Sequence, residues 1–233
     1  MRLDTYLVQN DYFESKNKAK EAILAQKIRV NNKIISKPSF DVKEAQIEVL
    51  GDIFVSRSAW KLKNYIDEYS LDVKNKTAID IGSSTGGFSE VLLKYGAKQV
   101  VCVDVGSEQL HPKIKNNPAV EVYENQDIRE FVSDIKFDLV VSDVSFISLL
   151  FLIDKIDELS NKDIVLLFKP QFEVGKNAKR NKKGVVTDER AVFGALENFK
   201  LQCKQKQWKS LHQTKSSILG KEGNEEYILH FQK

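Results

Sequence analysis

A run of glycine and hydroxyl residues, "GSSTGG" at residues 82–87, follows directly after the apolar segment Thr77–Ile81. Glycines at such a turn let the backbone approach a ligand closely, and the amides that open the next helix point towards it. Ser84 occupies the second glycine position of a dinucleotide fingerprint, and the Gly-Lys-Ser/Thr ending of a phosphate-binding loop is missing. By itself the run is equally typical of a tight strand-to-helix turn, so its meaning depends on the residues around it.

Three aspartates stand at or after the ends of successive apolar segments. Asp80 ends the first, Asp104 closes the second and Asp127 follows the third. A carboxylate closing the second strand can accept hydrogen bonds from a ribose diol, and one after the third can accept from an adenine amino group. Each alone is typical of a surface turn, but the three in order favour an adenosine cofactor that needs no pyrophosphate. The predicted cofactor-binding residues are Asp80, Gly82, Ser83, Ser84, Thr85, Gly86, Gly87, Phe88, Asp104, Asp127 and Asp143.

Apolar strands alternate with amphipathic helices from Thr77 to the end of the chain. This alternation predicts an α/β fold with a doubly wound sheet and helices on both faces, on which ligands bind at the carboxyl ends of the strands. The predicted strands are Thr77–Ile81, Val100–Val105, Val120–Glu124, Leu139–Ser142, Ile164–Lys169 and Tyr227–Phe231. The predicted helices run from the glycine turn to about Tyr95 and then over Gln109–Lys115, Ile147–Leu159 and Glu189–Lys206.

The first 50 residues predict a compact unit of a different kind. Two short helices, Arg2–Gln9 and Ser15–Ala25, precede strands at Lys27–Val30 and Ile34–Ile35. Ser15 is suited to cap the second helix, and Asn31-Asn32 is suited to a tight turn. We therefore predict a small α+β domain over residues 1–49, a linker over 50–58 and the α/β domain over 59–233.

Lysine and arginine concentrate at both ends of the chain. Residues 1–50 carry 9 Lys and Arg against 7 Asp and Glu, residues 51–168 carry 13 against 19, and residues 169–233 carry 14 against 7. Basic clusters supply the sequence-independent part of affinity for nucleic acids, so a polyanionic partner that contacts both ends would explain the division. Exposed helix faces that are basic for solubility would give the same pattern at the C-terminal end.

Composition argues against several classes of protein. The longest apolar stretch, Leu139–Ile153, is interrupted by Asp143 and three serines and falls short of the roughly 20 residues of a membrane span. The N-terminus has no signal-peptide pattern. Two cysteines and three histidines lack metal-ligand spacing, so we expect no metal site, no membrane association and a cytoplasmic location.

The N-terminal segment resembles the RNA-binding module named after ribosomal small-subunit protein four, the alpha-L motif. The matching residues are Arg2-Leu3-Asp4, Ser15-Lys16 with Ala19 and Ala22, Ile28-Arg29-Val30-Asn31, and Lys37-Pro38-Ser39. This resemblance covers about 45 residues and implies binding to structured RNA.

The remainder of the chain is similar to the class I S-adenosylmethionine-dependent methyltransferases. The segment "DIGSSTGGF" resembles the FtsJ-like 2'-O-methyltransferases, in which the middle glycine of the usual loop is replaced. The whole chain, including "KPQFEVGK", "KGVV" and "GNEEY", looks closest to the TlyA (hemolysin-like) family. The resemblance implies S-adenosyl-L-methionine as the cofactor and a Rossmann-like methyltransferase sheet.

Four residues match the Lys-Asp-Lys-Glu catalytic pattern of that family: Lys61, Asp143, Lys169 and Glu226. A ribose hydroxyl is too weakly acidic to ionise at neutral pH, and a lysine can stabilise its developing charge or accept its proton. We predict that Lys169 activates the hydroxyl and that Asp143 holds its ammonium group, while Lys61 and Glu226 orient the ribose. Glu225 is the alternative to Glu226, because one residue of register moves a side chain to the other face of a strand.

The resemblance implies methylation of a cytidine ribose in the RNA of the large ribosomal subunit, and in some members also of the small subunit. Loss of that methyl group would lower sensitivity to capreomycin and viomycin. The expected partner is ribosomal RNA or a ribosomal subunit, with a further basic stretch from Lys176 to Lys183 on a mobile RNA-facing loop. The predicted RNA-binding residues are Arg2, Lys16, Lys18, Lys20, Lys27, Arg29, Lys33, Lys37, Arg57, Lys179 and Arg180.

Two other functions remain open from the sequence. One is a membrane-active hemolysin, the activity after which the family was named. The other is an RNA-binding assembly factor that keeps the cofactor fold without catalysis. The target nucleotide, the number of RNAs modified and the oligomeric state are not determined by the sequence.

Overall fold

The structure is a computed structural model that describes residues 1–13 and 15–233 and divides the chain into two compact units, Met1–Ile53 and Phe54–Lys233. The division falls inside the predicted linker at 50–58. Phe54 and Val55 are buried in the core of the second unit. The domain boundaries at 49 and 59 stay predictions of the sequence.

The first unit packs two helices against a small antiparallel sheet. Helices α1 (Leu3–Gln9) and α2 (Lys16–Leu24) are followed by strands β1 (Ile28–Val30), β2 (Lys33–Ile34) and β3 (Ile47–Val49), in the order β2-β1-β3. The buried core is formed by Leu3, Leu7, Phe13, Ala19, Ala22, Ile23, Ile28, Val30 and Val42.

Local signals in this unit act as the sequence predicts. The Ser15 side chain accepts a hydrogen bond from the Lys18 amide and caps α2. Asn31 and Asn32 both have positive φ and form the β1–β2 turn. The prediction missed β3, a strand of three residues that pairs with β1 across a long connection.

The second unit is built on a sheet of seven strands in the order β6-β5-β4-β7-β8-β10-β9. Strands β4 to β8 run parallel, and β10 runs antiparallel to both β8 and β9. The strands are β4 (Thr77–Ile81), β5 (Gln99–Val103), β6 (Val120–Tyr123), β7 (Phe137–Ser142), β8 (Ser160–Phe168), β9 (Lys209–Lys215) and β10 (Tyr227–Gln232).

Helices cover both faces of this sheet, so the prediction of a doubly wound α/β fold is confirmed. They are α3 (Ala59–Tyr69), α4 (Gly87–Lys94), α5 (Pro112–Lys115), α6 (Ile153–Leu159), α7 (Pro170–Glu173) and α8 (Glu189–Gln205). One apolar cluster lies between the sheet and α3, α4 and α5, and a second lies between the sheet and α6 and α8.

Several elements differ from the prediction. Strand β9 was not predicted, because its side chains have no buried face that would appear as an apolar pattern. Helices α3 and α7 were not predicted either. The helix expected over Ile147–Leu159 begins only at Ile153, because residues 149–151 form a separate 3-10 turn capped by Ser148. The helix expected over Gln109–Lys115 begins at Pro112.

No helix in the described part of the chain has the length and apolar character needed to cross a membrane. Within residues 1–13 and 15–233, no group of three or more His, Cys, Asp or Glu residues is arranged to hold a metal ion.

Candidate active site

The glycine turn lies at the carboxyl end of β4, where parallel strands of this kind bind ligands. Gly82 and Gly86 have positive φ, and a Cβ on Gly82 would come within 2.9 Å of a Val144 methyl group. Ser84 also has positive φ, which a non-glycine residue adopts at some cost. The backbone therefore needs glycine at 82 and 86. Several amides of the turn already donate within the protein: those of Gly82 and Ser83 to the Val103 carbonyl, and that of Gly86 to the Ser83 carbonyl.

Asp80 is 1% exposed beneath this turn. Its Oδ2 accepts hydrogen bonds from the Ser89 amide at 3.0 Å and the Ser89 hydroxyl at 2.6 Å. Its Oδ1 is buried without a hydrogen-bond partner among the described residues. Burial, with the charge of Asp143 adding to it, raises the pKa of Asp80 to about 7. Asp80 thus fixes the start of α4 and keeps one unused acceptor under the turn.

Asp104 follows β5 and binds the turn directly. Its Oδ2 accepts from the Ser84 amide and its Oδ1 from the Gly106 amide, both at 2.7 Å. The Ser84 hydroxyl donates to Gln109 Oε1 at 3.1 Å. A ligand seated on the turn would therefore lie beside Asp104. Gln109 is a contact that no motif indicated.

Asp127 follows β6 on the same edge of the sheet. The backbone amide of the neighbouring Gln126 donates to the Asp104 carbonyl at 2.9 Å. Both carboxylate oxygens of Asp127 accept from the Arg129 guanidinium, and these bonds lower the pKa of Asp127. An adenine amino group would have to share this carboxylate with Arg129.

Lys61 and Glu226 form a buried ion pair at this end of the molecule. Lys61 lies in the first turn of α3, and Glu226 immediately precedes β10. Lys61 Nζ lies 2.6 Å from Glu226 Oε2 and 3.7 Å from Asp143 Oδ2, and the Lys61 and Glu226 side chains are 7% and 3% exposed. Two residues separated by 165 positions in sequence are thus brought into direct contact.

Lys169 and Asp143 form the second pair. They follow β8 and β7, which are neighbouring parallel strands, so both side chains emerge at the same edge. Lys169 Nζ lies 2.5 Å from Asp143 Oδ1, and it donates to Ser145 Oγ at 2.8 Å and to the Asp143 carbonyl at 3.2 Å. Asp143 contacts both lysines, so the four residues matched to the catalytic pattern form one connected cluster.

The alternative position for the acid, Glu225, lies outside this cluster. It is exposed and pairs with Lys215 on β9. Glu226 Oε1 instead accepts a hydrogen bond from the side-chain amide of Gln171 at 3.2 Å. Sequence reasoning missed both Gln171 and Ser145, and only their places next to Lys169 and Asp143 in the chain could have drawn attention to them.

An aromatic side chain, Phe146, stands on the loop that follows Asp143. It is 91% exposed and has a φ of 67°, and its ring lies 5.2 Å from that of Phe172. The loop is held by Glu173, which accepts from the Ser148 hydroxyl and the Leu149 amide. Single exposed aromatic side chains are common on protein surfaces, so the relevant feature is the place of Phe146, next to Ser145, whose Oγ accepts from Lys169. The sequence analysis did not identify Phe146.

The basic stretch after Gly175 forms a short hairpin. The Asn181 amide donates to the Val185 carbonyl, and the Thr187 amide donates to the Lys179 carbonyl, both at 2.9 Å. Arg180 donates to the Gln171 carbonyl at 3.2 Å, while Lys182 and Lys183 are exposed at the tip. Beside the hairpin, a groove of about 880 Å³ is lined in part by Pro170, Phe193 and Tyr227.

In the N-terminal unit, the basic residues predicted to bind RNA lie at the surface or half-buried. Arg2 pairs with the buried Asp4 and lowers its pKa to about 2, and Arg29 pairs with Glu48. Lys27 donates to the Asp52 carbonyl at 3.1 Å. The exposed members of the predicted set are Arg2, Lys16, Lys20, Lys33, Lys37, Arg57, Lys179 and Arg180, of which the last three belong to the second unit.

Comparison with protein families gives two matches that together span nearly the whole chain. Residues 54–233 match the FtsJ-like methyltransferase family, and residues 1–47 match the S4 domain.

Curated relatives match over the full length. The chain is 42% identical to the 23S rRNA (cytidine-2'-O)-methyltransferase TlyA of Campylobacter jejuni, over 99% of both chains. It is 35% identical to the 16S/23S rRNA (cytidine-2'-O)-methyltransferase TlyA of Mycobacterium tuberculosis, over 98% of this chain and 88% of the relative.

A similar solved structure is that of a putative hemolysin from Streptococcus thermophilus. It has a TM-score of 0.73 and 29% identity, and the match covers 100% of this chain and 88% of that one.

Proposed function

The chain belongs to the FtsJ-like methyltransferases, and from this membership and the geometry of the four-residue cluster we propose that it methylates the ribose 2'-hydroxyl of a cytidine in ribosomal RNA. The large-subunit RNA is the expected target, and the Mycobacterium tuberculosis relative's name extends the proposal to the small subunit. The observation that carries the proposal is the cluster of Lys61, Asp143, Lys169 and Glu226 at the sheet edge that also bears the glycine turn.

S-adenosylmethionine is the proposed cofactor, and the residues around the turn suit it. Gly82 and Gly86 let the backbone approach a ligand, and the acceptors of Asp80 and Asp104 lie below and beside it. Asp104 would bind the ribose, and Asp127 would bind the adenine amino group in competition with Arg129. When bound, the cofactor supplies an electrophilic methyl group attached to a sulfonium.

Within the cluster, we assign Lys169 to the 2'-hydroxyl. Three oxygen atoms surround its Nζ, which is the environment of an ammonium donor. An ammonium at this place stabilises the negative charge that develops on the hydroxyl oxygen as the hydroxyl proton passes to solvent and the oxygen attacks. Asp143 holds Lys169 at the edge of the sheet, and Glu226 and Lys61 together offer an acceptor and a donor that fix the ribose.

Binding of the RNA would use surfaces on each unit. Lys16, Lys20, Lys33 and Lys37 supply charge on the N-terminal unit, and the hairpin of residues 179–187 supplies it beside the cluster. Phe146 offers a face on which a base near the target can stack, since stacking on an aromatic side chain holds unpaired bases irrespective of sequence.

The experiment is a transfer assay with tritiated S-adenosylmethionine and ribosomal subunits that lack the modification. We expect label in ribosomal RNA, at a cytidine 2'-oxygen, with the wild-type chain. Lys169→Ala should lower the labelling rate at least about a hundredfold. Lys162→Ala, which alters an exposed lysine of β8, the strand that precedes Lys169, should leave the rate unchanged. Absence of label from every RNA tested would refute the proposal.

The two alternative functions give different results in parallel measurements. Leakage of liposomes that persists in Lys169→Ala would favour a membrane-active protein. Failure to bind S-adenosylmethionine in a calorimetric titration, with RNA present, would favour a non-catalytic assembly factor.

A further inference from the structure

Helix α3 contacts β10 at two places along its length. Lys61 reaches Glu226 at the start of the strand, and Tyr65, one helical turn later on the same face, reaches His230. Glu226 and His230 are four residues apart, so they lie on one face of the extended chain. The helix that carries Lys61 is thus held against the strand by one contact inside the catalytic cluster and one outside it.

The contact outside the cluster is part of a buried hydrogen-bonded chain. The Tyr65 hydroxyl lies 2.8 Å from His230 Nδ1, and His230 Nε2 lies 3.2 Å from Asp163 Oδ1. Lys76 Nζ donates to Asp163 Oδ2 at 3.0 Å. Tyr65 is 2% exposed, His230 5% and Asp163 4%. Burial opposes ionisation of Asp163, yet the bonds from His230 and Lys76 hold its pKa below the usual range.

The direction of these hydrogen bonds follows from the Asp163 carboxylate. A carboxylate only accepts, so His230 must donate to Asp163 from Nε2. In the neutral imidazole Nδ1 is then an acceptor, and the Tyr65 hydroxyl donates to it. Burial also raises the pKa of Tyr65, which keeps this hydroxyl a donor. This series of hydrogen bonds therefore has one arrangement in which every donor meets an acceptor, and that arrangement fixes the position of Tyr65 along β10.

The cluster has little tolerance for displacement of α3. The Nζ of Lys61 is 2.6 Å from Glu226 but 3.7 Å from Asp143, so it bonds to the first and only approaches the second. A small shift of the helix along β10 would change both distances. Among the residues that the structure describes, the Lys61 ammonium group has polar contacts only with Glu226 and Asp143.

We propose that Tyr65 and His230 are positioning residues for Lys61: their hydrogen bond, anchored on Asp163, sets the register of α3 on β10 and thereby the placement of the Lys61 ammonium group in the catalytic cluster. This inference rests on the proposed methyl transfer and deepens it. Neither residue touches the reacting atoms, so their effect is expected on the rate of the chemical step and not on the binding of RNA or cofactor.

The test uses the full chain, ribosomal subunits and tritiated S-adenosylmethionine under single-turnover conditions. Tyr65→Phe removes only the donor. His230→Gln places an amide where Nε2 stood and loses the acceptor for Tyr65, whereas His230→Asn keeps an acceptor near Nδ1. Tyr69→Phe is the matched control, one turn further along α3, because the Tyr69 ring stacks on Tyr65 but its hydroxyl has no hydrogen bond within the described residues.

We expect Tyr65→Phe and His230→Gln to lower the single-turnover rate about tenfold, which corresponds to about 1.4 kcal/mol in the barrier. The KM for subunits and the Kd for S-adenosylmethionine should stay within about twofold, since uniform binding is untouched. The double variant should be no slower than either single one, because both remove the same bond. His230→Asn should keep more activity than His230→Gln, and Tyr69→Phe should match the wild type.

Every rate is measured well below the melting temperature of each variant, so that partial unfolding does not enter. The proposal is overturned if Tyr65→Phe equals the wild type in rate, if its loss is in KM instead, or if the two losses add in the double variant. An inactive wild type would refute the proposed function, while an active wild type with an equally active Tyr65→Phe would refute only the positioning role.

Discussion

The glycine turn and the lysine cluster lie at the same sheet edge but are built in opposite ways. The turn is made by six consecutive residues whose backbone angles require glycine at 82 and 86. The cluster is made by four single residues that are up to 165 positions apart: one lies in α3, two follow β7 and β8, and one precedes β10. A local motif can be damaged by one added methyl group, whereas the cluster is sensitive to any change in how its elements pack.

The cluster also differs from the turn in what holds it together. Its members are charged and nearly buried, and each charge is compensated by another member. Removing one partner of such a pair leaves a buried charge uncompensated. Consequently the turn should control cofactor affinity and local folding, while the cluster should control the rate of the reaction.

The largest expected effect is on the rate, from Lys169→Ala. Loss of the charge that stabilises the developing oxyanion should lower kcat by about a hundredfold to a thousandfold. The Kd for S-adenosylmethionine, measured by calorimetry, should change by less than about threefold, because uniform binding is not lost. Equal losses in kcat and cofactor affinity would contradict the assignment of the reaction rate to the cluster and of cofactor affinity to the turn.

The second prediction reverses this pattern at the turn. In Gly82→Ala, the new Cβ would approach Val144 at a positive φ, so the free energy of unfolding should fall by about 1–3 kcal/mol, with weaker cofactor binding. Gly194→Ala is the matched control, since its Cβ meets nothing within 4 Å in helix α8. That control should be stabilising by up to about 1 kcal/mol in a denaturant titration. An unchanged stability in Gly82→Ala would contradict the turn geometry.

The third prediction separates RNA recognition from both regions. Phe146→Ala should lower kcat/KM for ribosomal subunits about tenfold, because loss of a stacked base costs about 1–3 kcal/mol. Thermal stability should be unaffected, since the ring is 91% exposed. Phe151→Ala serves as the control, because Phe151 is also largely exposed, at 71%. A comparable loss in Phe151→Ala would mean that the effect is not specific to Phe146.

The last prediction concerns the acid beneath the turn. The pKa of Asp80 is about 7 in the folded chain against 3.8 for an ordinary aspartate, so the folded state binds the extra proton. The contribution of Asp80 to the free energy of unfolding is therefore fully present below about pH 4. It is lost as the pH rises towards 7, at up to about 1.4 kcal/mol per pH unit. Urea titrations of wild type and Asp80→Asn at pH 5 and 7 measure the difference. Parallel pH profiles would exclude a raised pKa.

Much of the fold was accessible from the sequence for physical reasons that can be named. The parallel strands are short apolar runs ended by acids, and Ser15 and the asparagine turn are local signals that act as expected. Strand β9 was not accessible, because its side chains are mostly exposed and its partner β10 alone defines it. Helix α3 was missed although its buried positions, Ala59, Leu62 and Ile66, have helical spacing.

The sequence by itself determined the glycine turn, the acids that follow the strands and the two kinds of unit, because each depends on neighbouring residues and on hydrophobic periodicity. Family resemblance added the four candidate catalytic residues. Only the tertiary structure decided that Glu226 and not Glu225 meets Lys61, that Gln171 and Ser145 join the cluster, and that Tyr65 is anchored through His230. These contacts connect residues far apart in the chain, and their geometry arises from the register of packed elements, which no local pattern encodes.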